Sequence, residues 1–191
     1  MIEFNPQSRL SPEKGRILIS EPFLSDPYFK RTVILLCEHN DEGSFGFVLN
    51  RYLDMGISRI MKEFPDIETK VGVGGPVQNQ NLFFLHTLGD VLEGSTEVVN
   101  GVFMGGNFDI LKLMIESGKI DESNVRFFVG YSGWSADQLD QELKEKSWIV
   151  APSNKHSIMS TSNDSLWGDS LKSLGKKYAH LANFPENPRY N

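Results

Sequence analysis

The 191-residue sequence predicts one α+β domain built on a largely antiparallel or mixed sheet. Three observations carry that expectation. Apolar runs of strand length return on themselves through hairpin loops instead of alternating strictly with helices. The helical periods between them are short. The composition, 39% hydrophobic with 17 Gly and 9 Pro, is that of an ordinary globular chain and excludes disordered, collagenous and low-complexity classes. A chain of this length buries about 70% of its unfolded surface and needs no disulfide or metal staple. The whole of 1–191 reads as a single unit, with 1–14 as a loose extension and 183–191 as an extended tail.

Each element has its own signal. Arg16 to Ser20 is a short strand, ended by the turns at Glu21-Pro22 and Asp26-Pro27. Thr32 to Cys37 is apolar on both alternating faces, the mark of a strand covered on two sides. Asn40-Asp41-Glu42-Gly43 turns the chain back through Phe45 to Leu49 as an antiparallel partner. Ile57, Ile60, Met61 and Phe64 keep helical spacing up to Pro65. Val71 to Gly75 and Leu82 to His86 are strands joined by a polar loop, Pro76 to Asn81. Asn100-Gly101 between two apolar triplets is the strongest short hairpin signal.

Asn107 caps a helix that turns Leu111, Met114 and Ile115 inward and stops at Gly118. Val125 to Gly130 is a buried strand. Ser135 with Gln138 forms a capping box for the next helix, Trp134 staples against Leu139, and Asp140–Lys144 and Glu142–Lys146 pair on its outer face. Trp148 to Ala151 is a last strand, and Trp167, Leu171, Leu174 and Tyr178 keep helical spacing beyond it.

Charge and cysteine usage narrow the partners. Nineteen Lys and Arg against 25 Asp and Glu give a net charge of −6, without any basic stripe. Neutralising phosphates requires clustered cations, so direct nucleic-acid contact is disfavoured, and no salt-sensitive mobility shift on DNA is expected. The single Cys37 cannot form an internal disulfide. Met1 to Glu13 lacks the apolar core of a signal peptide, and no apolar run approaches the roughly 18 residues of a membrane span. A soluble cytoplasmic protein is the expectation.

The candidate chemistry is sparse. Cys37 and His39 would share a strand face, the minimal pair for thiol catalysis, but a Cys after Val-Ile-Leu-Leu reads better as a buried hydrophobe. Gly130-Tyr131-Ser132-Gly133-Trp134 lies between strand and helix like a hydrolase nucleophile elbow, but Trp134 takes the place of the final glycine. Gly72-Val73-Gly74-Gly75-Pro76 matches neither a P-loop nor a dinucleotide fingerprint, and Gly105-Gly106-Asn107 leads into a helix N-terminus whose free N–H groups can hold an anion; both read first as tight turns. His39, His86, His156 and His180 have no metal-ligand spacing, and His86 reads as a strand-end residue satisfied by a backbone carbonyl. No cofactor or metal is expected.

Several blocks together resemble the YqgE/AlgH family of bacterial proteins. They are Glu21 to Val33 running into Cys37-Glu38-His39 and Gly46 to Asn50, then Gly74-Gly75-Pro76-Val77 and Phe84-Leu85-His86. Gly130 to Trp134 with Gln138-Leu139, Trp148 with Ala151-Pro152, and Leu166-Trp167 complete the likeness, from about Gly15 to Trp167. The resemblance implies a small cytoplasmic protein with a curved, partly barrel-like sheet surrounded by helices. It implies no particular reaction. The family is often labelled transcriptional regulators, through a link with alginate gene expression, and its pattern accepts Ala where this chain has Ser132.

The leading expectation is a non-enzymatic regulatory or binding protein acting through a protein partner or small ligand. Its site is expected where Glu38, His39 and Asn50 meet Gly74, Gly75 and Pro76 and Tyr131, Ser132 and Trp134, with His86 as a further candidate. The alternative is a small hydrolase or thiol enzyme using Ser132 or Cys37.

Overall fold

Side chains alternate across a strand, so each strand can feed two cores. In β1 (Ile17–Ser20), Ile17 and Ile19 enter one core and Leu18 another. β2 (Val33–Asn40) continues the division, with Val33 and Leu35 on the first side and Ile34 and Leu36 on the second. This is the doubly covered strand expected from its apolar run. The computed structural model describes residues 10–161 and 164–184. The first nine residues of the N-terminal extension and residues 185–191 of the tail lie outside them. Residues 10–14 enter no strand or helix, and Asn183 ends a 3-10 turn, Leu181–Asn183.

The remaining elements are β3 (Gly43–Val48), β4 (Tyr52–Gly56), α1 (Ile57–Ile60), β5 (Lys70–Val73), β6 (Val77–His86), β7 (Ser95–Val99) and β8 (Val102–Gly105). Then follow α2 (Phe108–Glu116), β9 (Val125–Ser135), α3 (Gln138–Lys144), β10 (Trp148–Ala151), α4 (Lys155–Met159), α5 (Leu166–Ser173) and α6 (Lys176–Ala179). The sheet runs β10-β1-β2-β3-β9-β6-β8-β7, with β5 added to β9 and β4 to β5. The β5–β9 pair is parallel; neighbours along the main path are antiparallel. The sheet curls into a half-barrel with short helices about it, the α+β class that the hairpins announced.

One core joins Ile149 and Ala151 of β10 to Val98 and Val102 of β7 and β8, strands at opposite ends of the sheet order. It therefore fills the concave side, and Trp167, Leu171 and Leu181 cover it. The Trp167 indole donates to the Ser20 carbonyl at 3.0 Å, which seats α5 on β1. A second core packs α1 and α2 through Ile57, Leu111 and Ile115 against Val71, Phe84 and Phe127. A third sets Leu139 of α3 on Leu18, Ile34, Leu36, Trp134 and Trp148. β9 supplies Phe128 to the first, Phe127 to the second and Trp134 to the third, so this eleven-residue strand ties all three together.

Arg126, also on β9, is fully buried. Its guanidinium donates to the carbonyls of Leu49 and Ile158 and to Tyr52 Oη, and lies over the Phe128 ring. Burial pulls its pKa down to about 10, and the nearby Tyr52 opposes that shift. The fork of a guanidinium reaches two carbonyls that no ammonium could span, which fixes the chain after β3 to α4.

Three local expectations are corrected. The helix from Ile57 makes one turn only, because Met61 is extended, Glu63 is left-handed (φ 64°) and Phe64 turns into the second core against Phe127. Val77 to Asn81 belongs to β6 and is no loop, although the register slips between Val77 and Leu82. Strands β5 and β6 both pair with β9, which offers both of its edges. The C-terminal helical period is cut at Gly175 (φ 110°) into α5 and α6. The Asn100-Gly101 hairpin and the Asn107 cap, whose Oδ1 accepts from Ile110 N at 3.1 Å, form as expected.

Candidate functional site

Beyond Leu36 the register of β2 against β3 shifts, so that Leu36 faces Gly46 and Glu38 faces Phe45. A bulge inserts one residue and exchanges the faces of everything after it. Cys37 stays in the concave core, and Glu38 follows on the same side, opposite Phe45. His39 moves to the other side, opposite Ser44. The expectation that Cys37 and His39 share a face is thereby corrected. Cys37 is buried with its Sγ toward the Leu35 carbonyl, and desolvation pushes the thiol far above its usual range.

The same register carries across to β9, where Phe45 faces Gly133 and Ser44 faces Trp134. Tyr131 lies opposite Val77 at the start of β6. Around the row Glu38, Phe45 and Gly133 opens a cleft of about 400 Å³, with Asn40 and Glu42 of the hairpin on one side and Val77, Tyr131 and Trp134 on the other. Gly133 gives the cleft room: a Cβ there would stand 3.1 Å from Tyr131 Cε2. The Tyr131 ring meets Phe45 and Phe83 edge-on at 5.8 and 5.7 Å, an arrangement that fixes its plane.

A smaller hollow of about 250 Å³ lies beside the hairpin, lined by His39, Asp41, Asp137, Leu139 and Asp140 among others. His39 Nδ1 and Ser44 Oγ are 2.7 Å apart, so the imidazole is tied to its own hairpin. Of the ten residues expected to form a site, the structure places Glu38, Tyr131 and Trp134 on the main cleft and His39 on the adjoining hollow.

The other six line neither hollow. Asn50 Oδ1 accepts from Val33 N at 3.0 Å and its Nδ2 donates to the Arg31 carbonyl at 2.8 Å, tying two chain segments together. Gly74 and Gly75 cross β9 so closely that added Cβ atoms would stand 2.2 Å from the Gly130 carbonyl oxygen and 2.3 Å from the Tyr131 carbonyl. Close backbone approach accounts for glycine at both positions. Pro76 follows them on the surface. Ser132 is fully buried and donates to the Gly74 carbonyl at 3.0 Å. The elbow reading is corrected with it: Gly130 to Trp134 continues β9, and α3 starts only after Asp137.

His86 is buried away from the cleft, in the strand pair β6–β8. Its Nδ1 accepts from Leu88 N at 3.2 Å, so the proton sits on Nε2, which faces the Gly105 carbonyl and Ser95 Oγ at 3.0 Å each. Desolvation lowers its pKa, partly offset by the Gly105 bond.

Gln138 keeps half of the predicted capping box, accepting from Ser135 N at 3.0 Å, but the helix cap is the left-handed Asp137. Glu142, expected on the outer face of α3, turns inward instead and receives the indole N–H of both Trp134 and Trp148. Sequence reasoning missed Asn40, Glu42, Phe45, Val77 and Gly133 as cleft residues. For Asn40 and Glu42 the signal was the acidic hairpin loop, and its turn function hid it. Among the described residues no group of three or more His, Cys, Asp or Glu converges on a metal position, and no helix is long and apolar enough to cross a membrane.

The sequence profile of the AlgH-like family (DUF179) matches residues 17–179. A UPF0301 protein of Chlorobaculum tepidum is 42% identical over 177 residues, covering 93% of this chain and 95% of its own. One from Cytophaga hutchinsonii is 43% identical over 179 residues, covering 93% and 98%. The solution structure of the AlgH protein from Pseudomonas aeruginosa aligns with a TM-score of 0.72 at 27% identity, covering 93% of this chain and 97% of that one. A Corynebacterium diphtheriae protein in crystal form aligns at 0.80 and 24% identity over 95% and 97%, a likeness of fold. With its profile, relatives and fold in agreement, the chain belongs to the AlgH-like family.

Proposed function

We propose that the protein is a regulatory binding module, acting through a small ligand or a protein partner seated in the cleft between the β2–β3 hairpin and β9. The cleft carries the reading: about 400 Å³ of space with aromatic walls and a few polar groups at its rim is the make-up of a small-ligand site. The reactive groups of the enzymatic alternative are withdrawn, Ser132 bonded to a backbone carbonyl and Cys37 buried with a raised pKa. A reducing, cytoplasmic setting suits a chain whose one cysteine is buried. Regulation without direct DNA contact suits a net charge of −6.

The test is a fragment screen read by amide chemical shifts. Binders are expected to move Gly43, Ser44, Gly133 and Val77 together. Hits that cluster elsewhere, or a screen without hits, would overturn the reading.

A further inference from the structure

We propose that Asn100, at the tip of the β7–β8 hairpin, is a site of spontaneous covalent modification to aspartate and isoaspartate. Two charges beside the attacking nitrogen set its rate: Glu97 holds the reaction back and Lys155 favours it.

The reactivity is written into the dipeptide. Asn100 is the one asparagine of the chain that glycine follows, and a residue without Cβ leaves its amide nitrogen open to the neighbouring side chain. Having lost its proton, Gly101 N attacks Asn100 Cγ. The bond from Cγ to the side-chain nitrogen breaks, and that nitrogen takes up a proton through water and leaves as ammonia. The product is a cyclic succinimide. Water then adds to one of its two carbonyls, giving aspartate or isoaspartate, and no oxidant or cofactor is consumed. Asn100 is exposed, in the two-residue turn between Val99 and Val102, so the water that both steps need is at hand.

The restraint is a hydrogen bond. Gly101 N donates to Glu97 Oε1 at 3.0 Å, so the nitrogen that must lose its proton has that proton held by a carboxylate. A carboxylate is far too weak a base to remove a peptide proton. It opposes the step instead, because the amide anion would lie at hydrogen-bond distance from a second negative charge. Lys155, which opens α4, also lies near Gly101: its Nζ is 3.6 Å from where a Cβ would stand, and its charge pulls the other way.

The modification bears on the fold. Isoaspartate adds a backbone carbon to a two-residue turn whose strands carry Val98 and Val102 into the concave core, and either product adds a carboxylate close to Glu97.

The full chain and two variants, aged in warm neutral buffer, decide the matter. Peptide mapping by mass spectrometry follows each asparagine, and an isoaspartyl methyltransferase with labelled S-adenosylmethionine counts isoaspartate. Asn100 is expected to convert ahead of every other asparagine. Glu97→Gln keeps an acceptor oxygen and removes the charge, and is expected to convert about fivefold faster, the scale of one exposed charge interaction. Lys155→Gln is expected to convert about twofold slower. Amide shifts at Val99 and Val102 report whether the hairpin is kept. Earlier conversion of another asparagine overturns the site. An unchanged rate in Glu97→Gln with its hairpin intact overturns the restraint. Should that variant open the hairpin, Lys155→Gln, outside the hairpin, decides alone, and an unchanged rate there overturns control by charge.

Discussion

Trp134 and Trp148 donate their indole N–H groups to one and the same oxygen, Glu142 Oε2, at 2.9 and 2.7 Å. The two rings stand edge to face, 6.1 Å apart, so a single carboxylate on α3 locks β9 to β10 across the third core. Glu142→Ala strands two buried donors and is expected to cost about 2–4 kcal/mol, with Glu142→Gln falling between it and the native protein. Urea unfolding followed by tryptophan fluorescence measures this. A loss below about 0.5 kcal/mol would mean the shared oxygen is idle.

His86 makes stability depend on pH. Burial lowers its pKa below the ordinary 6.5, so the folded state holds it neutral while the unfolded state takes up a proton as pH falls through 6.5. The unfolded chain binds more protons there, and stability therefore rises with pH up to about 6.5 and is flat in this contribution above it. Protonation would also remove the acceptor for Leu88 N. His86→Phe is expected to flatten the acid limb relative to the native protein, whatever its cost at pH 8. Unfolding midpoints from pH 5 to 8 for both proteins check this, and parallel curves would refute it.

Gly75 is the least replaceable position at the crossing of the chain over β9. Its φ is 153°, and a Cβ would lie 2.3 Å from the carbonyl carbon and oxygen of Tyr131 and 2.4 Å from Ser132 N, all rigid backbone. Gly75→Ala is expected to cost about 3 kcal/mol or more, or to prevent folding. Gly118→Ala is the control: it has φ 64° but no neighbour within 4 Å, and should cost about 1 kcal/mol. Thermal melts that rank the two alike would sink the close-approach account.

Cys37 and Ser132 should be silent toward reagents in the native state. Desolvation disfavours the thiolate, and the Ser132 hydroxyl is bonded to the Gly74 carbonyl. Native protein is expected to resist iodoacetamide and a fluorophosphonate probe, and Cys37 to react only once urea unfolds the chain. Rapid native labelling of either residue would restore the enzymatic alternative.

Several parts of this molecule could be read locally because their causes are local. The Asn100-Gly101 turn, the Asn107 cap and the doubly apolar run of β2 each rest on side chains within a few residues of one another. The cleft was legible only in fragments. Glu38, Tyr131 and Trp134 were named from sequence, but Phe45, Val77 and Gly133 join them through strand pairings spanning up to 88 residues of chain between Phe45 and Gly133.

The sequence by itself determined the α+β class, the hairpins, most of the strands and the absence of a disulfide framework, because alternation, turn chemistry and cysteine count act over short stretches. Only the tertiary structure decided which faces meet. One extra residue in β2 moved His39 away from Cys37, and β9, extended through an expected turn, became the strand shared by three cores. Bulges and strand order depend on long-range hydrogen bonding and burial, and no short window of sequence carries that information.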